Sequence, residues 1–264
     1  MTQRIGVAAT AQFGADVLER LADRHEIAFV LTRPDSRRGR GRAVAPPAAK
    51  LAAERLSVPV LQPERLDAAV DLPAETIVVV AYGLLVPADL LGRHLWLNVH
   101  PSLLPRWRGA APIERAIMAG DEETGVTIIR LVEELDAGPI GAQEAFAIGA
   151  EDDAGAVYEH AAEVAVRLLD PLPELFTPQA DEGMTYAGKI AAADRQLDLE
   201  LPAEELVRRT RALSPHIGAR AELNGRPVTV WRAQIGPGGS FEPLEVQPEG
   251  GKRMDYASWL RGLR

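Results

Sequence analysis

Ile77-Val78-Val79-Val80-Ala81 is an unbroken apolar run, mostly β-branched, followed directly by Tyr82-Gly83-Leu84. A strand with one wet face alternates polar and apolar residues. This run does not, so it reads as a strand buried on both faces, the pattern of a parallel sheet. Outward from it the pattern repeats: Pro87 to Leu91 fits a short helix, and Leu95 to Val99 the next strand. Toward the N-terminus, Ile5 to Ala9 and Ile27 to Thr32 are strands with a helix from Ala15 to Asp23 between them. A helix from Pro47 to Leu56 then precedes Pro59-Val60-Leu61. Strands alternating with helices over short connections imply an α/β fold with a doubly wound, mostly parallel sheet. No Gly-x-Gly-x-x-Gly follows the first strand, which counts against a conventional dinucleotide enzyme.

Downstream, Ala111 to Ala119 reads as a helix, Gly125 to Leu131 and Gln143 to Ile148 as strands, and Asp152 to Leu169 as one long helix that Pro171 and Pro173 end. Residues 1–175 are thus expected to form the catalytic domain, with 176–200 as a linker. Residues 201–264 differ in character and are expected to form a second, smaller, β-rich domain. A helix from Pro202 to Leu213 comes first, with Glu204 and Glu205 early and Arg208, Arg209 and Arg211 late, an order that suits the helix dipole. Asn224-Gly225 between two apolar runs signals a hairpin. Leu244-Glu245-Val246 adds a third strand, and Asp255 to Leu263 a closing helix.

Composition limits the chemistry. The chain has no cysteine, which removes thiol nucleophiles, disulfides and thiolate metal sites. No apolar stretch reaches the roughly 18 residues of a membrane span, and no basic segment followed by an apolar run opens the chain. These features argue against secretion and membrane association and point to the cytoplasm. A net charge of −9 speaks against broad nonspecific nucleic-acid binding but leaves room for a local basic patch.

Such a patch exists. Arg33-Pro34-Asp35-Ser36-Arg37-Arg38-Gly39-Arg40-Gly41-Arg42 holds five arginines against one aspartate. Its glycines and serine disfavour a helix, so a flexible basic loop is expected. It serves either solubility or phosphate contact, because arginine forks match phosphate oxygens.

The chemistry-bearing segment is Asn98-Val99-His100-Pro101-Ser102-Leu103-Leu104-Pro105-Arg106-Trp107-Arg108-Gly109-Ala110-Ala111-Pro112-Ile113, at the end of a buried strand where an open α/β sheet places its ligands. Residues i and i+2 of a strand share a face, so Asn98 and His100 point the same way. Asp136, in Leu135-Asp136-Ala137-Gly138, either ties its own turn or, if that loop folds toward Asn98 and His100, orients the histidine. Spacing alone leaves both readings open.

This segment resembles the hallmark of the 10-formyltetrahydrofolate-dependent formyltransferases. Asn98-Val99-His100 with Ser102 to Pro105 is common to the wider family, while Arg106 to Ile113 narrows the resemblance to its methionyl-tRNA and amino-sugar branches. Val78 to Leu84, Gly120 to Ile128 and Leu135 to Gly138 match as well. The resemblance implies a folate-dependent formyltransferase acting on initiator methionyl-tRNA, as a monomer, with 10-formyltetrahydrofolate as formyl donor and no metal. It places catalytic roles on Asn98, His100 and Asp136, and folate contacts on Tyr82, Gly83, Leu84, Ser102, Leu103, Leu104 and Pro105. Contacts to tRNA fall on Arg33, Arg37, Arg38, Arg40, Arg42, Arg208 and Arg209. The implied chemistry is acyl transfer through a tetrahedral intermediate, with Asn98 and His100 stabilising the oxyanion and Asp136 holding His100 and helping to remove the amine proton. The alternatives are a formyltransferase for an amino sugar or other small amine, and a non-catalytic tRNA- or folate-binding protein.

Two departures from the family pattern stand out. Ala9 and Ala11 occupy the places of the glycine and proline of the family's Gly-Thr-Pro turn, and a β-carbon at Ala9 is expected to crowd it. The C-terminal region also offers about three strand candidates, too few for the closed five-stranded OB-like barrel the resemblance implies, so a shortened domain is expected.

Overall fold

The computed structural model describes residues 2–38 and 43–263, with the side chain of Arg38 left aside. In chain order the first elements are β1 (Arg4–Ala9), α1 (Gln12–Ala22), β2 (Glu26–Leu31), β3 (Ser36–Arg38), β4 (Ala43–Ala45), α2 (Ala48–Arg55), β5 (Val60–Leu61), β6 (Thr76–Val80), α3 (Ala88–Leu91) and β7 (Leu95–His100). Next come β8 (Arg108–Gly109), α4 (Pro112–Ala119), β9 (Glu123–Arg130), β10 (Ile140–Ala147), α5 (Ala154–Leu168) and β11 (Tyr186–Ala187). The chain closes with α6 (Ala203–Leu213), β12 (Ala219–Leu223), β13 (Arg226–Ile235), β14 (Phe241–Pro248), β15 (Met254–Asp255) and α7 (Tyr256–Arg261). Among the described residues, no helix is long and apolar enough to cross a membrane.

Seven strands form one sheet in the order β10-β9-β7-β6-β1-β2-β5. The pairs β2/β5, β1/β2, β1/β6 and β6/β7 are parallel, and β9 lies antiparallel to β7. This is the mostly parallel, doubly wound sheet expected from the continuous apolar runs. The chain leaves β1 toward β2 and β5, then crosses back to β6 and β7 on the other side. The strand order therefore reverses between β1 and β6, the place where open α/β sheets bind ligands.

One core layer alternates along the strands: Phe29, Leu31, Ile77, Val79 and Trp96 bury one sheet face with Leu66, Leu72 and Leu90. Trp96 donates its indole N–H to Leu90 O at 2.9 Å, so the largest side chain of the layer is also satisfied. Gly6 lies under Phe29, whose ring would stand 2.3 Å from a β-carbon there.

The turn after β1 accommodates Ala9 without crowding. Ala9 is fully buried, and a β-carbon on Gly14 would meet the Ala9 methyl at 2.7 Å and Val80 O at 2.6 Å. The space that Ala9 fills is left open by Gly14, in the first turn of α1.

The basic segment is not an irregular loop at its base. Ser36, Arg37 and Arg38 pair antiparallel with Ala45, Val44 and Ala43, making a two-stranded ribbon. Asp35 anchors it: its carboxylate accepts from Lys50 Nζ at 2.8 and 2.9 Å and from Gln62 Nε2 at 2.8 Å. These bonds hold the Asp35 carboxyl below the usual carboxylate range, Gln62 contributing most and Lys50 next.

The chain divides into two compact units: Met1–Arg108 with Gly125–Ala145 and Glu159–Thr185, and Gly109–Thr124 with Phe146–Tyr158 and Tyr186–Arg264. In the second unit, β12-β13-β14-β15 form an antiparallel sheet. Sequence reading finds three of these strands; the fourth, Met254–Asp255, is two residues long and too short for any periodicity to register. Leu206, Leu213, Val228, Val230, Val246 and Trp259 close the core between this sheet, α6 and α7. Asp255 caps α7 by accepting from Ser258 N at 2.9 Å.

Candidate active site

The last residues of β7 put Asn98 and His100 on one strand face, next to β6 through the pair Val79↔Asn98. At the ends of β1 and β6, Thr10 Oγ1 donates to Tyr82 O at 2.7 Å and Ala11 N to Ala81 O at 3.4 Å, tying the two sides of the switch point together. Ala81 takes a left-handed φ of 46°, which swings the Tyr82-Gly83-Leu84 turn away from the strand direction.

The loop between β9 and β10 folds back over β7 and delivers Asp136. Asn98 Nδ2 donates to Asp136 Oδ1 at 3.3 Å, and Asp136 Oδ2 stands 3.6 Å from His100 Nδ1. His100 Nε2 donates to Trp107 O at 2.8 Å, since a carbonyl can only accept. His100 and Asp136 are both buried. The three side chains that sequence reading singles out therefore meet, and of the two readings left open for Asp136 the loop takes the second, folded toward Asn98 and His100 with its carboxylate facing the histidine.

The loop is specific to its glycine. Asp136 has φ 48°, and a β-carbon on Gly138 would sit 1.8 Å from Arg130 O. The carbonyls of Asp136 and Gly138 both accept from Gln179 Nε2, at 2.7 and 2.8 Å.

Ser102 to Pro105 are held from below rather than left open. Thr127 Oγ1 donates to Ser102 O at 2.6 Å and accepts from Leu104 N at 3.1 Å. Gln143 Nε2 reaches both Thr127 Oγ1 and Leu104 O, at 2.7 and 3.0 Å. Ser102, fully buried, donates its hydroxyl to Arg106 O at 2.7 Å. Leu104 is buried too, the Leu104–Pro105 bond is cis, and Leu103 packs where a β-carbon on Gly125 would stand. Sequence reading misses Thr127 and Gln143 as the pins of this run. Polar residues inside otherwise apolar strands were the available signal.

Tyr82 is buried, and that burial pushes its phenol up to about 12, against the opposing effect of nearby Arg33. Leu84 and its neighbour Leu85 are exposed, Leu85 by 81%. Arg33 Nη1 lies 4.0 Å from the β-carbon position of Gly83, so the first arginine of the basic segment stands at this turn and not with the ribbon. Arg37 is exposed on the ribbon itself. Arg38 begins no describable side chain, and Arg40 and Arg42 lie outside the described residues.

Two of the α6 arginines, Arg209 and Arg211, hydrogen-bond within their own unit. Arg209 donates to Glu205 at 2.7 and 3.0 Å, one helical turn back. Arg208 lies along Gly120, the left-handed C-cap of α4, where its charge suits the helix end. Arg211 donates to Ala150 O. Among the described residues, no group of three or more His, Cys, Asp or Glu is placed to hold a metal.

The family model for formyl transferase matches residues 3–170, and that for its C-terminal domain matches 189–243. This chain belongs to the formyl transferase family. The methionyl-tRNA formyltransferase of Halorhodospira halophila is 40% identical over all of this chain and 97% of its own. That of Paracoccus denitrificans is 40% identical over 98% of this chain and 97% of its own. The first alignment runs over 302 positions against 264 residues here, so the relative carries insertions. Among solved structures, the N-formyltransferase from Helicobacter canadensis, in complex with folinic acid and dTDP-3-aminofucose, superposes with a TM-score of 0.66 at 16% identity, covering 97% of this chain and 99% of its own. At that identity the likeness speaks for the formyl transferase fold.

Proposed function

We propose that this protein transfers the formyl group of 10-formyltetrahydrofolate to the α-amine of methionyl initiator tRNA, in the cytoplasm, to prepare it for translation initiation. The observation that carries the reading is the meeting of Asn98, His100 and Asp136 beside the switch point. The chain's 40% identity to methionyl-tRNA formyltransferases over its whole length supports it and disfavours the amino-sugar alternative.

The turn after β6 suits a flat heterocycle. Leu84 and Leu85 expose apolar surface at the sheet edge, a cost that a bound pteridine ring would offset. The folate, when bound, supplies the formyl carbon and a nitrogen leaving group.

Asn98 spends one amide hydrogen on Asp136 and retains a second for the oxygen on which charge develops. His100 has Nε2 committed to Trp107 O and Nδ1 facing the Asp136 carboxylate at 3.6 Å, so its role is to hold that carboxylate in place. Asp136 accepts the proton of the attacking amine, directly or through one water, and gives it up to the departing nitrogen as the bond between that nitrogen and the formyl carbon breaks. Direct attack by the amine needs no protein nucleophile, in keeping with a chain that has no cysteine. Arg33 and the ribbon bearing Arg37 supply positive charge for the tRNA backbone.

The deciding experiment is formyl transfer from 10-formyltetrahydrofolate to methionyl-tRNA, with free methionine and a panel of amino sugars as competing acceptors. Transfer to methionyl-tRNA alone, slowed about 10²–10³-fold by Asn98→Ala, is the expected result. Transfer to a sugar amine, or folate binding with no transfer to any acceptor, overturns the reading.

A further inference from the structure

Gln179 lies in the stretch that sequence reading treats as a linker, yet its amide sits at the back of the site. Nε2 donates to two carbonyls of the catalytic loop, Asp136 O and Gly138 O, while Oε1 accepts two bonds from Arg108, from Nε at 3.1 Å and Nη2 at 2.7 Å. Arg108 is buried, and its third nitrogen pairs with Glu134 at 3.6 Å, at the start of the same loop. One arginine–glutamine unit thus grips the Asp136 turn on both sides.

The same unit reaches the histidine. Arg108 follows Trp107, whose carbonyl accepts from His100, and Trp107 holds a left-handed φ of 65°. The backbone there is fixed by Thr185: Trp107 N donates to Thr185 Oγ1 and Arg108 N to Thr185 O, both at 2.9 Å. Thr177 exchanges backbone bonds with Ile140 at 2.7 and 2.9 Å, just past the loop. The contacts close a ring that runs His100, Asp136, Gln179, Arg108, Trp107 and back to His100.

We propose that Gln179 is a positioning residue, which with Arg108 as its anchor sets the distance between the Asp136 carboxylate and the Asn98–His100 pair. Residues 177–185 are then a strap across the back of the active site. Asp136 is in a conformation that a non-glycine residue rarely adopts, and such conformations persist only where the surroundings impose them. Gln179 donates to the main chain on both sides of that turn, at Asp136 O and Gly138 O. The inference rests on the catalytic roles proposed above for Asn98, His100 and Asp136.

Two variants separate positioning from bulk. Gln179→Glu keeps an oxygen for Arg108 but turns a second oxygen, with no hydrogen to give, toward two carbonyls. Gln179→Met keeps the length and removes every hydrogen bond. Each is made in the full chain and read three ways: thermal unfolding, kcat and KM for both substrates, and the ring resonances of His100 in ¹⁵N-histidine-labelled protein, assigned by their loss in His100→Asn.

Both variants are expected to fold, with kcat lowered about 10²-fold, the cost of a small misplacement of a reacting group. Both KM values should change less than about threefold, and the His100 signals should move. Where Gln179→Met fails to fold, Gln179→Glu carries the test. Wild-type kcat with unmoved His100 signals overturns the proposal, as does a kcat loss matched by a KM rise with those signals unmoved. If the wild-type protein formylates no methionyl-tRNA, the functional reading falls, and the His100 signals alone decide on the clamp without any substrate.

Discussion

Asn98 and Asp136 are 38 residues apart in the chain, and the amide of one donates to the carboxylate of the other over 3.3 Å. That bond orients the asparagine, because it uses one of two amide hydrogens and fixes the direction of the other. Asn98→Ala should therefore lower kcat by about 10²–10³, the cost of losing one donor to a developing oxyanion. The KM for 10-formyltetrahydrofolate should change little. Steady-state kinetics with each substrate varied in turn would sink this if KM alone responded.

Gly138 is required for space. Its backbone passes so near Arg130 O that a β-carbon would stand at 1.8 Å, and the neighbour is main chain with nowhere to go. Gly138→Ala should cost about 1–3 kcal/mol of stability, as forced overpacking does, and displace Asp136 with it. A thermal melt and a kcat measurement on the same preparation give the answer; wild-type values for both would refute the account.

Glu114 makes stability depend on pH. It is buried on α4, its carboxylate accepting from Tyr158 at 3.1 and 3.4 Å, and burial raises its pKa above the ordinary 4.5. A folded-state pKa above the unfolded value means that the folded protein holds the proton more tightly. The stability from this group is thus complete below about 4.5 and is lost as pH rises through the folded value. Glu114→Gln should flatten that decline and raise the melting temperature at pH 7 relative to wild type. Tyr158→Phe should lower it by leaving a buried carboxylate short of a donor, at about 1–3 kcal/mol. Melts across the acid range that show no difference between wild type and Glu114→Gln would contradict the linkage.

Arg33 and Arg37 should part company. Arg37 sits on the β3–β4 ribbon, so Arg37→Ala should raise the KM for methionyl-tRNA and lessen the slope of log affinity against log salt by about 1, with folate KM unchanged. Arg33 stands beside Tyr82 and Gly83, so Arg33→Ala should raise the folate KM as well. Equal effects of the two on both substrates would show that the ribbon and the turn act as one surface.

The strands of the large sheet were legible because Ile77 to Val80 and their neighbours carry continuous apolar runs, a local signal. Asn98 and His100 could be put on one face from spacing alone. The placing of Asp136 could not, because the bonds that fold its loop join residues 41 to 71 positions apart, through Gln179 and Arg108. The ribbon at Ser36–Arg38 was hidden for a different reason: arginines and glycines carry no alternation, and its pairing with Ala43–Ala45 shows only in the backbone. Crowding was expected at Ala9 because the turn was judged by one position, whereas the room is made by Gly14. Arg208 and Arg209 read as free basic charge in a sequence; the packing of Arg208 along Gly120 and the pairing of Arg209 with Glu205 appear only when α6 is packed.

The methyl group of Ala9 fills room that Gly14 leaves free. With a 2.7 Å approach between the two β-carbons, alanine at both positions is barred, while glycine at both leaves a gap of one methyl, worth about 1 kcal/mol. The methyl cannot be moved to position 14 even by way of the double glycine, because a β-carbon there still meets the main-chain Val80 O at 2.6 Å. The relation is one-sided: position 9 can lose its methyl at a small cost, whereas main chain holds position 14 to glycine whatever stands at 9, so this turn is open to change at one residue and closed at the other.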